Sequence, residues 1–232
     1  MKHTLFLLIL ITLISSICLA QSNFTRGEEL FMQNNPHQAV SFLERALAED
    51  PANTVIYLYL GIVYEQLGRA EEAIAIYRRI LPMAGNLSAN VASNLGNVYF
   101  QRGNTEEAER YYSEAIGYNS VYTVAYLGRA NTRIRAGNLT NAISDYEQYL
   151  RLEPTSSQRT NIEQLINLIR SDIAAAEMRR IIAEEEERRL AEERQRLLDS
   201  VSASLQSAAD ASQGLSAGAE GVEFYDGVFI LE

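Results

Sequence analysis

The side chains that most often carry chemistry are scarce in this sequence. His3 and His37 are its two histidines, and Cys18 is its one cysteine. A zinc site of His and Cys ligands, a disulfide framework and a Cys–His dyad each need more than that. Two acid pairs, Glu71-Glu72 and Glu106-Glu107, are of the right residue type for general acid–base work. Each pair falls just after a turn, in the first turn of an expected helix, where the helix dipole favours acids. His37 lies at the same kind of turn and reads as a surface residue. No nucleophile elbow, phosphate-binding glycine loop or HExxH motif occurs. The expectation is a protein that is not an enzyme, with no catalytic residue, no metal ligand and no cofactor.

Composition agrees. The 232 residues are 47% apolar and 22% charged, an ordinary globular mixture. Lys and Arg together number 20, of which Lys2 is the only lysine, against 30 acids, for a formal charge of −10. Nucleic acid is not an expected partner, because phosphate contacts need clustered positive charge.

The first twenty residues read as an address. Lys2 precedes an apolar run from Leu5 to Ile14 broken by Thr12, and small residues follow up to Ala20. That is the layout of a secretory signal peptide over 1–20. The run through Ala20 is about 16 residues, short of the roughly 20 that span a bilayer as a helix. Cleavage after Ala20 is expected, leaving an exported, periplasmic chain without a membrane span. Lipidation of Cys18, as in a bacterial lipoprotein, is the second reading, and the bulky Ile17 beside it fits poorly.

The elements that would position a binding surface come from a repeat. Ala39, Ala73, Ala108 and Ala142 are separated by 34, 35 and 34 residues. The same intervals link Gly27, Gly61, Gly96 and Ala130, then Leu43, Tyr77, Tyr112 and Tyr146, then Asn34, Gly68, Gly103 and Gly137. Columns that share one period predict stacked units, each unable to bury its apolar faces alone. Each unit reads as two helices. Tyr57, Leu60, Gly61 and Tyr64 recur at helical spacing, Gly68 ends that pattern, and Ala73, Ile74, Tyr77 and Ile80 or Leu81 mark the next. Asn104 and Glu107 are spaced like a capping box.

Leu60-Gly61-x-x-Tyr64, followed by Ala73, Tyr77 and an aliphatic residue at position 80, resembles the tetratricopeptide repeat, as do the unit ends Asp50-Pro51 and Glu153-Pro154. The resemblance covers roughly 23–154. It implies an all-α fold: an α-solenoid of about four helix hairpins within 21–155, in units of about 23–54, 55–88, 89–122 and 123–155. Tyr57 takes the place of the early Trp, and Gly85 and Ser120 stand where a closing Pro is usual. Arg129, Ala130 and Arg133 replace the Leu, Gly and Tyr of the fourth unit, a departure expected to weaken its first helix as a core element.

The resemblance also implies a binding surface, since in this family the first helices line a concave groove that holds extended peptides. Carried over, the groove presents Leu58, Ile62 and Glu65 from the second unit. Ser93, Asn94, Asn97, Phe100 and Gln101 come from the third, and Asn131, Ile134 and Arg135 from the fourth. Asparagine both donates and accepts, which suits an extended backbone. Leu58, Ile62 and Phe100 would supply apolar pockets. The family's clamp for a C-terminal carboxylate needs Lys with Arg, and no Lys is present at these positions. The alternative is that these residues simply face water.

After Pro154 the material changes. Ile162, Leu165, Ile166, Ile169 and Ile173 form a stripe suited to a capping helix over 156–182. A mixed-charge run over 183–209 reads as a solvated helix, with Glu184–Arg188, Glu185–Arg189 and Glu192–Arg196 in the favourable acid-first order. A coiled coil using Leu190, Leu197, Val201 and Ala208 is the alternative, and would give a homodimer. Residues 210–221 read as a flexible linker. The end, 222–232, is apolar and acidic, with Phe224, Tyr225, Phe229, Ile230 and Leu231 as a candidate linear motif. A disordered tail, docking on the chain's own repeats and capture by a partner are its three readings. The expected function is a non-catalytic adaptor or scaffold of the cell envelope that binds another protein or peptide in the groove. The second is a self-associating structural envelope component that uses the charged helix and the tail.

Overall fold

A computed structural model of the chain describes residues 22–219, with side chains to 212. The signal-peptide reading, Cys18 and the 222–232 motif lie outside the described residues. Among the described residues the fold is all-α. The hairpins are α1 (Asn23–Met32) with α2 (Pro36–Glu49), α3 (Thr54–Gln66) with α4 (Ala70–Ile80), α5 (Ser88–Gln101) with α6 (Thr105–Tyr118), and α7 (Thr123–Arg135) with α8 (Leu139–Leu152). A long helix, α9 (Arg159–Ala219), follows.

Each hairpin turns on one left-handed residue: Asn34, Gly68, Gly103 and Gly137, with φ of 54°, 70°, 77° and 78°. A Cβ added to Gly68, Gly103 or Gly137 would meet nothing within 4 Å, so the backbone conformation, not space, selects glycine. Side-chain caps start several helices, Asn35 accepting from Gln38 N, Asn53 from Val55 N and Asn104 from Glu107 N. The capping box expected at Asn104 is half made, because the Glu107 carboxylate pairs with Arg110 at 2.7 Å. Glu71 and Glu72 pair likewise with Arg102 and Arg69.

Within a hairpin the second helix sends a large side chain under the first. Leu43, Tyr77 and Tyr112 are fully buried beneath Gly27, Gly61 and Gly96. A Cβ on Gly96 would come within 2.8 Å of the Tyr112 ring. Ala39, Ala73, Ala108 and Ala142 are also buried at the helix crossings. First helices of successive units contact one another, α1 with α3, α3 with α5 and α5 with α7. The first helices therefore form a continuous row along the stack.

Three local features depart from a plain repeat. The longer interval, 35 residues, is taken up where α4 ends at Ile80, because Pro82 has no N–H to continue the helix. Two short 3₁₀ turns, Leu81–Met83 and Gly85–Leu87, bridge to α5, with Leu81 and Ala84 buried between them. In the fourth unit α7 buries only Ala125, Ala130 and Thr132, as the arginines imply, and polar bonds take the place of the apolar contacts. Arg129 grips Asp145 through two bonds of 2.9 and 2.7 Å and donates to Ser113 at 3.0 Å. Arg133 reaches the same Asp145 at 2.7 Å and Glu109 at 2.8 Å. Charge thus replaces apolar packing, and α6, α7 and α8 are joined through it.

The start of α9 belongs with the repeats. Arg159 donates to the Leu150 carbonyl at 2.7 Å, and Ile162, Ile166 and Ile169 are buried. Burial ends there, earlier than the expected 182, and from Arg170 the helix belongs to a separate unit. Its side chains are mostly exposed, including Ile182, Leu190, Leu197 and Val201, with Arg180 paired to Glu177 and Glu184. The linker expected over 210–221 is helical as far as Ala219. Its serines are interspersed with alanines, which have the highest helix propensity.

Candidate peptide-binding groove

The row of first helices carries the expected groove residues, and tyrosine hydroxyls from the second helices reach three of them, Glu65, Asn97 and Asn131. Tyr112 Oη donates to Asn97 Oδ1 and Tyr146 Oη to Asn131 Oδ1, each at 2.6 Å. In the second unit Ile62 stands where these asparagines would be, and Tyr77 Oη donates instead to Glu65 Oε1 at 2.5 Å. Tyr77 also accepts from Asn94 Nδ2 at 3.3 Å, a bond that crosses from the next unit. Each tyrosine is thus core at its ring and meets an expected groove residue at its tip.

The geometry sets the hydrogen-bond polarity of the surface. The oxygens of Asn97 and Asn131 are occupied by tyrosines, while their amide nitrogens have no hydrogen-bond partner among the described residues. Each asparagine thus keeps an uncharged amide donor beside an oxygen that already holds a tyrosine. Glu65 is the exception in charge. Burial raises its carboxyl from the ordinary 4.5 to about 7, and the Tyr77 hydrogen bond pulls the other way. Burial also raises the Tyr77 phenol far above its usual range, with the Glu65 charge and hydrogen bond adding to the effect.

The remaining residues divide clearly. Leu58, Ile62 and Phe100 are half-buried and pack against the core while keeping a surface face, and Ile134 is half-buried. Gln101 is exposed. Arg135 lies over the Phe100 ring at 3.9 Å and donates to the Phe100 carbonyl at 2.6 Å, so it is already committed at the end of α5. Ser93 is not a groove residue. It is 1% exposed, covered where Tyr122 enters α7. Its polarity suggested a surface place, but the residue just before α7 lies against it.

Two features add to the expected groove. Phe24 and Phe31 meet the Tyr59 ring edge-on at 5.7 and 5.3 Å, and Tyr59 Oη donates to Glu28 at 2.8 Å, making an aromatic end on α1 and α3. The other is a pocket of about 200 Å³ over Tyr112, lined by Asn97, Phe100, Val124, Leu127, Gly128 and Asn131. Among the described residues no cluster of His, Cys, Asp and Glu is arranged to hold a metal ion. No described helix is long and apolar enough to cross a membrane.

Comparison with known proteins bears on both fold and surface. Two family profiles, each described as tetratricopeptide repeat, match residues 52–118 and 93–157. RNA polymerase II-associated protein 3 of Mus musculus is 28% identical over 144 residues, covering 60% of this chain and 22% of that protein. A probable UDP-N-acetylglucosamine--peptide N-acetylglucosaminyltransferase, SPINDLY, of Hordeum vulgare is 30% identical over 107 residues, covering 44% of this chain and 11% of that one. The chain therefore spans only about a fifth or less of these curated relatives. The solved structure of MamA from Desulfovibrio magneticus superposes with a TM-score of 0.57 at 16% identity, covering 67% of this chain and 88% of that chain. That likeness is one of fold. Tetratricopeptide repeats are in general protein-interaction modules, and residues 52–157 of this chain match that repeat.

Proposed function

We propose that this chain is a non-catalytic adaptor that holds an extended segment of another protein against its row of first helices, and that it works in the cell envelope after export. One observation carries the reading. Asn97 and Asn131 stand at the same place in successive units, each with its oxygen fixed by a core tyrosine and its amide nitrogen unused. Repeated donors held rigidly in register suit the carbonyls of an extended backbone, because a fixed donor loses little freedom on binding. The leader-like first twenty residues supply the reason for placing it in the envelope, with Cys18 as a second, lipid-anchored possibility.

The test follows from the polarity. Removing either side chain outright would also strip a buried tyrosine of its partner. Asn97→Asp with Asn131→Asp keeps the acceptors for Tyr112 and Tyr146 and turns each donor into a carboxylate oxygen that repels a peptide carbonyl. Capture from an envelope fraction should lose specific proteins with this variant while its melting curve stays close to that of the parent. Undiminished capture of every protein would count against the groove.

A second reading draws on the exposed apolar residues of α9, including Leu190, Leu197 and Val201. They leave open a self-associating structural component of the envelope. Light scattering of the full chain and of one ending near Arg180 separates the two: a dimer lost on truncation favours self-association.

A further inference from the structure

Two residues at one repeat position treat the tyrosine behind them differently. Asn94 lies two residues before Gly96, and Gly128 lies two residues before Ala130, so they correspond in successive units. Asn94 covers the Tyr77 hydroxyl of the unit behind it. Gly128 has no side chain to do the same for Tyr112. The Tyr112 ring lies so close to the Gly128 backbone that even a Cβ there would collide with it. Beside the ring, with Gly128 in its wall, is the open pocket of about 200 Å³.

We infer that this pocket seats a single apolar side chain, aliphatic or an unsubstituted phenyl ring, from an internal stretch of extended peptide whose flanking carbonyls accept from Asn97 and Asn131. The inference rests on the groove reading above and adds the anchor. Size argues for one side chain, since pockets that enclose a whole small ligand run to roughly 300–1,000 Å³. The lining argues for an apolar one, because Phe100, Val124, Leu127 and the Tyr112 ring form most of the wall. Charge argues for carbonyls rather than a carboxylate. The two polar wall residues are uncharged, and Arg135 is not among the residues that line the pocket. Spacing agrees as well. Packed helix axes lie roughly 8–10 Å apart, which is about three residues of extended chain, so one peptide reaches both asparagines with an anchor residue between them.

The test uses the isotopically labelled full chain and blocked amino acids as probes. N-acetyl-leucine methylamide and N-acetyl-phenylalanine methylamide are titrated in turn, with N-acetyl-aspartate methylamide as the charged comparator. Saturable shifts of the Asn97 and Asn131 side-chain amides and of the Gly128 amide, about tenfold weaker in affinity for the aspartate probe, are expected. Val124 is 50% exposed at the pocket rim, in the first turn of α7 where an acid is favoured. Val124→Glu should therefore fold normally and weaken both apolar probes about tenfold. Equal or tighter binding of the aspartate probe overturns the inference, as does an unaffected Val124→Glu variant. Shifts confined to Leu58 and Ile62 overturn the pocket while leaving the groove standing. A peptide of residues 222–232 that saturates the same three resonances supports the pocket and identifies the chain's own tail as an occupant.

Discussion

Arg133 donates to Asp145 at 2.7 Å, and the two occupy the repeat positions at which the preceding unit stacks Tyr99 on Tyr111, their ring centroids 5.5 Å apart and 8° from parallel. An aromatic pair has been exchanged for an ion pair at one site of the solenoid. Arg129, at the position of Leu95, completes the exchange. The side chains of Arg129, Arg133 and Asp145 are 16%, 15% and 5% exposed. Three charges so far from water are tolerable only because both Asp145 oxygens and both guanidinium groups are engaged.

Removing Asp145 leaves two buried arginines short of a partner. Asp145→Ala should lower the unfolding free energy by about 3–5 kcal/mol. Restoring the earlier unit's residues together, as Arg129→Leu, Arg133→Tyr and Asp145→Tyr, should cost little or even stabilise, since well-packed apolar replacements of buried ion networks are often neutral or better. Urea denaturation measures both. A loss below about 1 kcal/mol for Asp145→Ala would mean that water already reaches the network.

Glu65 makes stability depend on pH. Its column elsewhere holds Phe31, Phe100 and Ile134, so a carboxyl stands in an apolar position. The groups that act on it are the Tyr77 hydroxyl, which lowers its pKa, and the burial that raises it to about 7. The folded chain then holds this proton more tightly than the unfolded chain. The corresponding stability is fully present below about pH 4.5 and is lost as pH rises through 7. Glu65→Gln keeps an acceptor for Tyr77 and should stabilise the chain by roughly 1–3 kcal/mol at about pH 8, with little effect near pH 4.5. Urea midpoints of both proteins at the two pH values decide it. A difference that does not change with pH would show an ordinary carboxyl.

The two kinds of conserved-interval glycine should fail in different ways. Gly61→Ala drives a Cβ into the buried Tyr77 ring, at a cost of about 1–3 kcal/mol. Gly68→Ala meets nothing and bears only the left-handed backbone, about 1–2 kcal/mol. Adding Tyr77→Leu should recover part of the first loss and none of the second. Equal coupling in both cycles would mean that Tyr77 does not set the approach of the helices.

What was legible in the sequence follows from what repeats. The alanines at the crossings, the left-handed turn residues and the tyrosines beneath glycines each recur at one interval, and each has the place its column implies. The features that stayed hidden break a column or lie between units. Arg129 and Arg133 looked like defects because their compensation, Asp145, is on the other helix of the hairpin. Ser93 looked like surface because Tyr122, which lies against it, is 29 residues further along the chain, just before α7. The pocket beside Tyr112 is lined by Asn97 and Phe100 of one unit and by Val124, Leu127, Gly128 and Asn131 of the next, so no single column marks it.

The end of burial along α9 gives a last expectation. The buried stripe of Ile162, Ile166 and Ile169 closes one turn before Ile173, which is only half-buried, and the charged run beyond keeps its side chains in water. A solvated helix of this kind is held by its own backbone and by spaced pairs such as Arg180–Glu184, worth roughly 0.2–0.5 kcal/mol each. Ending the chain after Met178 should therefore remove helical signal without lowering the melting temperature of the repeats. Ile166→Asp, by contrast, places a charge in the buried stripe and should destabilise them by several kcal/mol, of order 3 or more. Circular dichroism melts of the three proteins make the comparison. Should the truncated chain melt much earlier than the full one, the repeats would depend on the charged helix, and the boundary at Ile169 would be drawn in the wrong place.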